Sequence, residues 1–231
     1  MLEIANLNQY YGESHTLWDI HLNLPKGVCT CLMGRNGAGK TTLLKSLMGL
    51  HPIKTGQVNF DGTDITHIPT YRKVRLGIGY VPQGREIFSQ LTVEENLRLG
   101  LTVQNQWHKE IPDKIYDLFP DLKKMLNRRG GNLSGGQQQQ LSIARALVAN
   151  PKFLILDEPT EGIQPNIVHQ IGEVIEYLCK KAEMTILLVE QKLAFARRTA
   201  QHFCIMDKGY MVAADRIDAL DDQLIQKHLR V

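Results

Sequence analysis

Eight consecutive residues, Gly34-Arg35-Asn36-Gly37-Ala38-Gly39-Lys40-Thr41, bring together the groups that a bound phosphate requires. They fit the pattern G-x-x-x-x-G-K-[ST], with a strand-like run before it and a helix-like stretch after it. Glycines let the backbone curl closely enough for successive N–H groups to point at phosphate oxygens. A helix starting near Lys40 adds its positive N-terminal end. The Lys40 ammonium is placed to reach the β- and γ-phosphates, and the Thr41 hydroxyl to ligate magnesium. Thr42 follows as a further nucleotide contact.

A second constellation is Phe153-Leu154-Ile155-Leu156-Asp157-Glu158. A continuous apolar run is what a central parallel strand buried on both faces requires. Two acids at its C-terminal end fall where ligands sit in such sheets. Asp157 is placed to hold magnesium, directly or through water, and Glu158 to polarise an attacking water. The third is Leu133-Ser134-Gly135-Gly136-Gln137, which opens a helix over Gln138–Val148. Its serine and the amides of Gly135, Gly136 and Gln137 form a second anion-binding helix start. One ATP has no need of two phosphate cradles from one chain, so the second cradle is expected to serve a nucleotide held by a partner subunit.

The elements that must carry these residues can be read from apolar periodicity. Strand character appears at Leu2–Leu7, Leu17–Leu24, Val28–Met33, Gly56–Phe60, Gly77–Val81, Phe153–Leu156, Thr185–Val189 and Phe203–Met206. Helical spacing appears at Thr41–Met48, Asn166–Cys179 and Leu193–Ala200, and runs through a helical insertion from about Thr92 to Asn150. Strands alternating with helices predict an α/β fold with a mostly parallel, doubly covered sheet. The tail after Asp215 is expected to form a short helix. Trp18 and Trp107 read as packing residues, and Lys123-Lys124 and Arg128-Arg129 as solvated faces.

Composition sets the frame. The chain has 231 residues, 43% of them hydrophobic and 22% charged, enough for one substantial domain and against global disorder. A net charge of +3 is too weak to argue for a nucleic-acid partner. No apolar run approaches the roughly 20 residues that cross a bilayer, and the start MLEIANLNQYYG lacks a secretory pattern, so a cytoplasmic location is expected. Cys29, Cys31, Cys179 and Cys204 lack paired metal-ligand spacing and read as buried, reduced thiols.

Taken in order along nearly the whole chain, these motifs resemble the ATP-binding subunits of ABC transporters. The stretches YYGESH, YVPQGREIFSQLTVEENL, RRGGNLSGGQQQQL and LDEPTEGIQPNIV resemble the branch serving urea and branched-chain amino-acid uptake, urea most. The resemblance implies a P-loop NTPase core with a RecA-like parallel sheet, an N-terminal antiparallel β subdomain, and a helical subdomain at about residues 84–150 within a single domain spanning residues 1–231. It implies ATP and Mg2+ as cofactors, and Tyr11 as the aromatic that stacks on adenine. It makes Gln83 a magnesium contact that senses the membrane partner, Gly84–Phe88 the permease groove, and Glu161–Pro165 an interface loop. Implied partners are a second ATPase subunit, two integral membrane permeases and an extracytoplasmic solute-binding protein, with the chain peripheral on the inner face of the plasma membrane. Two departures stand out: Gln191 occupies the place of a usual histidine contacting the γ-phosphate, and Gln164 the place of a common acid. Glutamine donates a hydrogen bond but carries no charge. The expected catalytic set is therefore Lys40, Glu158 and Gln191. Rival readings are a DNA- or ribosome-directed ABC ATPase, a P-loop kinase, and a regulatory nucleotide-binding subunit.

Overall fold

The computed structural model describes residues 1–104 and 109–229, so Trp107 lies outside the described residues. The strands are β1 Leu2–Tyr11, β2 Ser14–Leu24, β3 Cys29–Met33, β4 Thr55–Phe60, β5 Thr63–Asp64, β6 Ile78–Val81, β7 Phe153–Asp157, β8 Thr185–Val189, β9 His202–Asp207 and β10 Tyr210–Arg216. The helices are α1 Lys40–Met48, α2 Thr70–Arg75, α3 Val93–Leu101, α4 Asp113–Leu118, α5 Pro120–Lys123, α6 Gly135–Val148, α7 Pro165–Lys180, α8 Leu193–Thr199 and α9 Asp222–His228.

Every residue of β3, β7 and β8 is buried, as a parallel strand covered on both faces demands. These strands lie in a six-stranded sheet of order β10-β9-β3-β8-β7-β6. The five strands β9, β3, β8, β7 and β6 run parallel, and β10 pairs antiparallel at one edge. Alternate side chains go to opposite faces of the sheet. Leu154, Leu156, Ile186 and Leu188 pack with α3, α6 and α7 in one cluster, whereas Phe153, Ile155, Leu187 and Val189 pack with α1 and the N-terminal strands in another. A second, antiparallel sheet of order β2-β1-β4-β5 closes that second face.

The structure differs from the sequence reading at the ends of elements. β1 and β2 run further toward their shared turn than the apolar pattern suggests, and β10, absent from the expected strands, is an edge strand whose apolar residues Met211–Ala214 stay exposed or half-buried. Trp18, expected to be packed, is 38% exposed and stacks between His15 and Tyr210. The tail does form a helix, α9, capped by Asp221. The four cysteines are buried free thiols, and among the described residues no group of acids, histidines and cysteines is arranged to hold a metal by itself.

Helices α3 to α6 lie between β6 and β7 in the chain and pack on one another. A buried Asn96 in α3 fixes the approach to them: its amide donates to the carbonyls of Phe88, Leu91 and Thr92 and accepts from the Phe88 N–H. Thr92 and Glu95 close a capping box at the start of α3, and Ser134 and Gln137 close another at the start of α6.

Candidate nucleotide site

The glycine-rich loop leaves β3 at Gly34, whose φ of +151° belongs to glycine alone. A Cβ there would run into the Met206 carbonyl of β9, so the loop presses directly on the neighbouring strand. Gly39, at φ +105°, caps α1 without a side chain, which turns the first amides of that helix outward. Ala38 is buried beneath the loop, and its carbonyl accepts from Gly209 N–H at 2.9 Å. Lys40 is 6% exposed; its Nζ donates to the carbonyls of Gly34 at 2.8 Å and Arg35 at 3.0 Å. Burial holds its pKa below the ordinary lysine value, against the opposing pull of Glu158 and Asp157.

The acids sit at the end of β7. Asp157 is 1% exposed, and its Oδ2 accepts from Thr41 Oγ1 at 3.3 Å while Oδ1 has no partner. Burial, then the charge of Glu158, push its pKa up from 3.8 to about 6, against smaller contributions from Thr41, Lys40 and Lys45. A buried, half-satisfied carboxylate beside a hydroxyl fits a divalent cation, which takes oxygen ligands. Glu158 has left-handed backbone, φ +48°, and its N–H donates to the Val189 carbonyl at 3.0 Å.

Strand order then sets the polar line across the site. β8 lies between β3 and β7, and β6 flanks β7 on the far side. Gln191, just beyond β8, donates through Nε2 to Asn36 Oδ1 at 3.0 Å and to Glu158 Oε1 at 2.5 Å. Gln83, just beyond β6, donates through Nε2 to Glu158 Oε2 at 3.2 Å and to Glu161 Oε2 at 2.9 Å. Glu158 is therefore held at both oxygens by neutral amides.

An open cleft of about 680 Å3 gathers Asn36, Gly37, Gly39, Lys40, Thr41, Thr42, Gln83, Glu158 and Gln191. Gly34 and Arg35 line an adjoining hollow that also reaches Gln191. Tyr11 does not line the cleft. It ends β1 at the turn with Ser14, is 46% exposed, and meets His51 edge-on at 5.0 Å; Thr16 of β2 lines the cleft instead. The hairpin points Tyr11 toward the segment after α1, so the aromatic face expected for adenine lies off the cleft. Glu190 and Lys192 also line the cleft, and sequence reasoning assigned them nothing. The available signal was a charged pair directly after an apolar strand.

Ser134, Gly135, Gly136 and Gln137 do not line this cleft. Ser134 Oγ accepts from Gln137 N–H at 3.3 Å, and Gln137 Oε1 accepts from Ser134 N–H at 3.0 Å. The Arg85 guanidinium lies against Gly135, where a Cβ would come within 3.0 Å of it. Arg85 and Glu86 both have positive φ, and α6 holds them: Ser142 Oγ donates to Arg85 O at 2.6 Å and Arg145 Nη2 to Glu86 O at 2.8 Å. The loop after Gln83 is thereby bonded to the helix that begins at Ser134.

Residues 17–161 match the family model of the ABC transporter. The chain belongs to that family and carries its ATP-hydrolysing domain. It is 40% identical over 222 residues to BraG of Pseudomonas aeruginosa, a high-affinity branched-chain amino acid transport ATP-binding protein, covering 95% of this chain and 94% of that one. It is 39% identical to the probable branched-chain amino acid transport ATP-binding protein LivF of Archaeoglobus fulgidus, covering 94% and 90%. It is 33% identical to LptB of the lipopolysaccharide export system of Escherichia coli, covering 92% and 89%. A nucleotide-free ATP-binding cassette from an ABC transporter superposes with a TM-score of 0.84 at 28% identity, covering 100% and 95%. The ADP conformation of another such cassette gives 0.83 at 29% identity, covering 98% and 97%.

Two outcomes follow from this geometry. Gln191→Ala keeps ATP binding and lowers turnover, measured as Kd and kcat; unchanged hydrolysis would contradict the placement of Gln191 against Glu158. Asp157 binds its proton more tightly folded than unfolded, so its charge costs stability as pH rises from 3.8 through about 6. Asp157→Asn removes that cost, so without nucleotide the variant melts higher than wild type at pH 8 and level with it near the acid end of that window. A variant that melts lower at pH 8 would contradict the assignment.

Proposed function

We propose that this chain is the ATP-hydrolysing subunit of an importer for branched-chain amino acids, working as one of two cassettes closed face to face. The carrying observation is the line Asn36–Gln191–Glu158–Gln83 across the mouth of the phosphate loop. Loop amides and Lys40 bind the triphosphate, and their charge and dipoles stabilise the transferred phosphoryl group. Thr41, Asp157 and Gln83 would hold Mg2+, which supplies charge neutralisation at the phosphate oxygens. Glu158 orients water and takes its proton; Gln191 and Gln83 keep that carboxylate aimed. Water attacks the γ-phosphorus, the bond to the bridging oxygen breaks, and ADP and phosphate leave.

Because Ser134 stands apart from the cleft, its helix start suits the ATP of the facing cassette, this chain's twin or a related ATPase. The groove of about 330 Å3 lined by Val74, Phe88 and Arg145 suits a segment of a membrane permease. The bonds from α6 to Arg85 and Glu86 would pass closure of the Ser134 face to that groove. Among the described residues no helix is long and apolar enough to cross a membrane. The family match supports integral membrane permeases as partners, with this chain peripheral on their cytoplasmic side. An extracytoplasmic binding protein would deliver the solute.

For the solute, the relatives BraG and LivF favour the branched-chain alternative over the urea expectation. The urea reading keeps its support in the stretches YYGESH and LDEPTEGIQPNIV. Uptake of labelled leucine and labelled urea, in cells with and without this chain, separates the two. Loss of leucine uptake alone is the expected result; loss of urea uptake alone would overturn the solute assignment and leave the ATPase reading intact.

A further inference from the structure

For the Gln191 amide to meet Glu158, the loops after β7 and β8 must be held in register. One buried carboxylate joins them. Glu190 is 3% exposed; its Oε2 accepts from Thr160 Oγ1 at 2.6 Å, and its Oε1 accepts from the N–H groups of Gln191 at 2.9 Å and Lys192 at 3.1 Å. Thr160 is fully buried and lies two residues beyond Glu158. Lys192 closes the link from the other side, its Nζ donating to the Thr160 carbonyl at 2.9 Å. The Glu190 N–H donates to the Leu32 carbonyl of β3 at 3.3 Å, which ties the junction to the strand feeding the phosphate loop.

A neutral side chain cannot be drawn into place by charge as an imidazolium can. Gln191 must meet Asn36 and Glu158 by direction alone, so the backbone that presents it has to be fixed. A buried carboxylate accepting three hydrogen bonds supplies that rigidity, since charge-assisted bonds in a low-dielectric setting are the stronger ones. We propose that Glu190 is a positioning residue for hydrolysis. With Thr160 and Lys192 it sets the Gln191 amide against Glu158, and it links that setting to the loop Glu161–Pro165, which directly follows Thr160. The inference rests on the roles given above to Glu158 and Gln191.

The test is ATP hydrolysis and ATP affinity of the full chain carrying Glu190→Gln, Thr160→Val or Thr160→Ser. Glu190→Gln is also made in a Gln191→Ala background. Glu190→Gln and Thr160→Val are expected to lower kcat by about tenfold or more, since small misplacements carry large kinetic costs. ATP affinity stays within about twofold, as for an interaction that acts on the transition state. Thr160→Ser, which keeps the hydroxyl, retains the wild-type kcat. In the Gln191→Ala background Glu190→Gln causes no further loss, because residues acting as one unit are not additive. Equal losses in both backgrounds, or a lowered melting temperature with kcat unchanged, would overturn the proposal. Should Glu190→Gln fail to fold, the contrast between Thr160→Val and Thr160→Ser decides it by the same criteria. Full turnover in Gln191→Ala alone would instead bring down the reading of the site itself.

Discussion

The order of four parallel strands, β3-β8-β7-β6, is the constraint on which the site depends. Each strand is followed within three residues by one polar group of the line, and sheet spacing of roughly 4.8 Å puts neighbouring ends within side-chain reach. Asn36, Gln191, Glu158 and Gln83 therefore meet in the same sequence as the strands that carry them. No loop has to travel to assemble the line. The apolar runs that bury β3, β7 and β8 on both faces hold these strands in the interior of the sheet, so the core and the site are one construction.

Burial also sets the chemistry at the end of β7. Asp157 is pushed up to about 6 because water is excluded around it, while Thr41 satisfies only one of its oxygens. Glu158 escapes that burial by a left-handed turn that brings it into the cleft, between two amide donors. Two adjacent carboxylates thus receive different surroundings: one suited to a cation, the other to a water molecule. The difference comes from a single backbone reversal.

Much of this was legible in the residues. Gly34–Thr41 and Phe153–Glu158 announce themselves because phosphate binding and two-sided burial each demand a rigid local pattern. Gln191 was placed by the resemblance, at the position of a usual histidine, and its pairing with Asn36 emerges only from the sheet order. What stayed hidden depends on distant pieces of chain. Glu190 has a role only because Thr160, thirty residues earlier, turns back beneath it. Arg85 and Glu86 hold unfavourable backbone only because α6 bonds to their carbonyls. Tyr11 carries the right chemistry, but the turn of its hairpin aims it at His51. Local composition records none of these pairings.

The central claim is that Glu158 drives hydrolysis in a site completed by a facing cassette. The direct measurement compares ATP hydrolysis by the wild-type chain and Glu158→Gln, together with their size in solution under ATP and Mg2+. The account predicts turnover by the wild type, and a variant that binds ATP, loses turnover and accumulates as a nucleotide-dependent dimer. A Glu158→Gln chain that hydrolyses ATP at the wild-type rate as a monomer would contradict it.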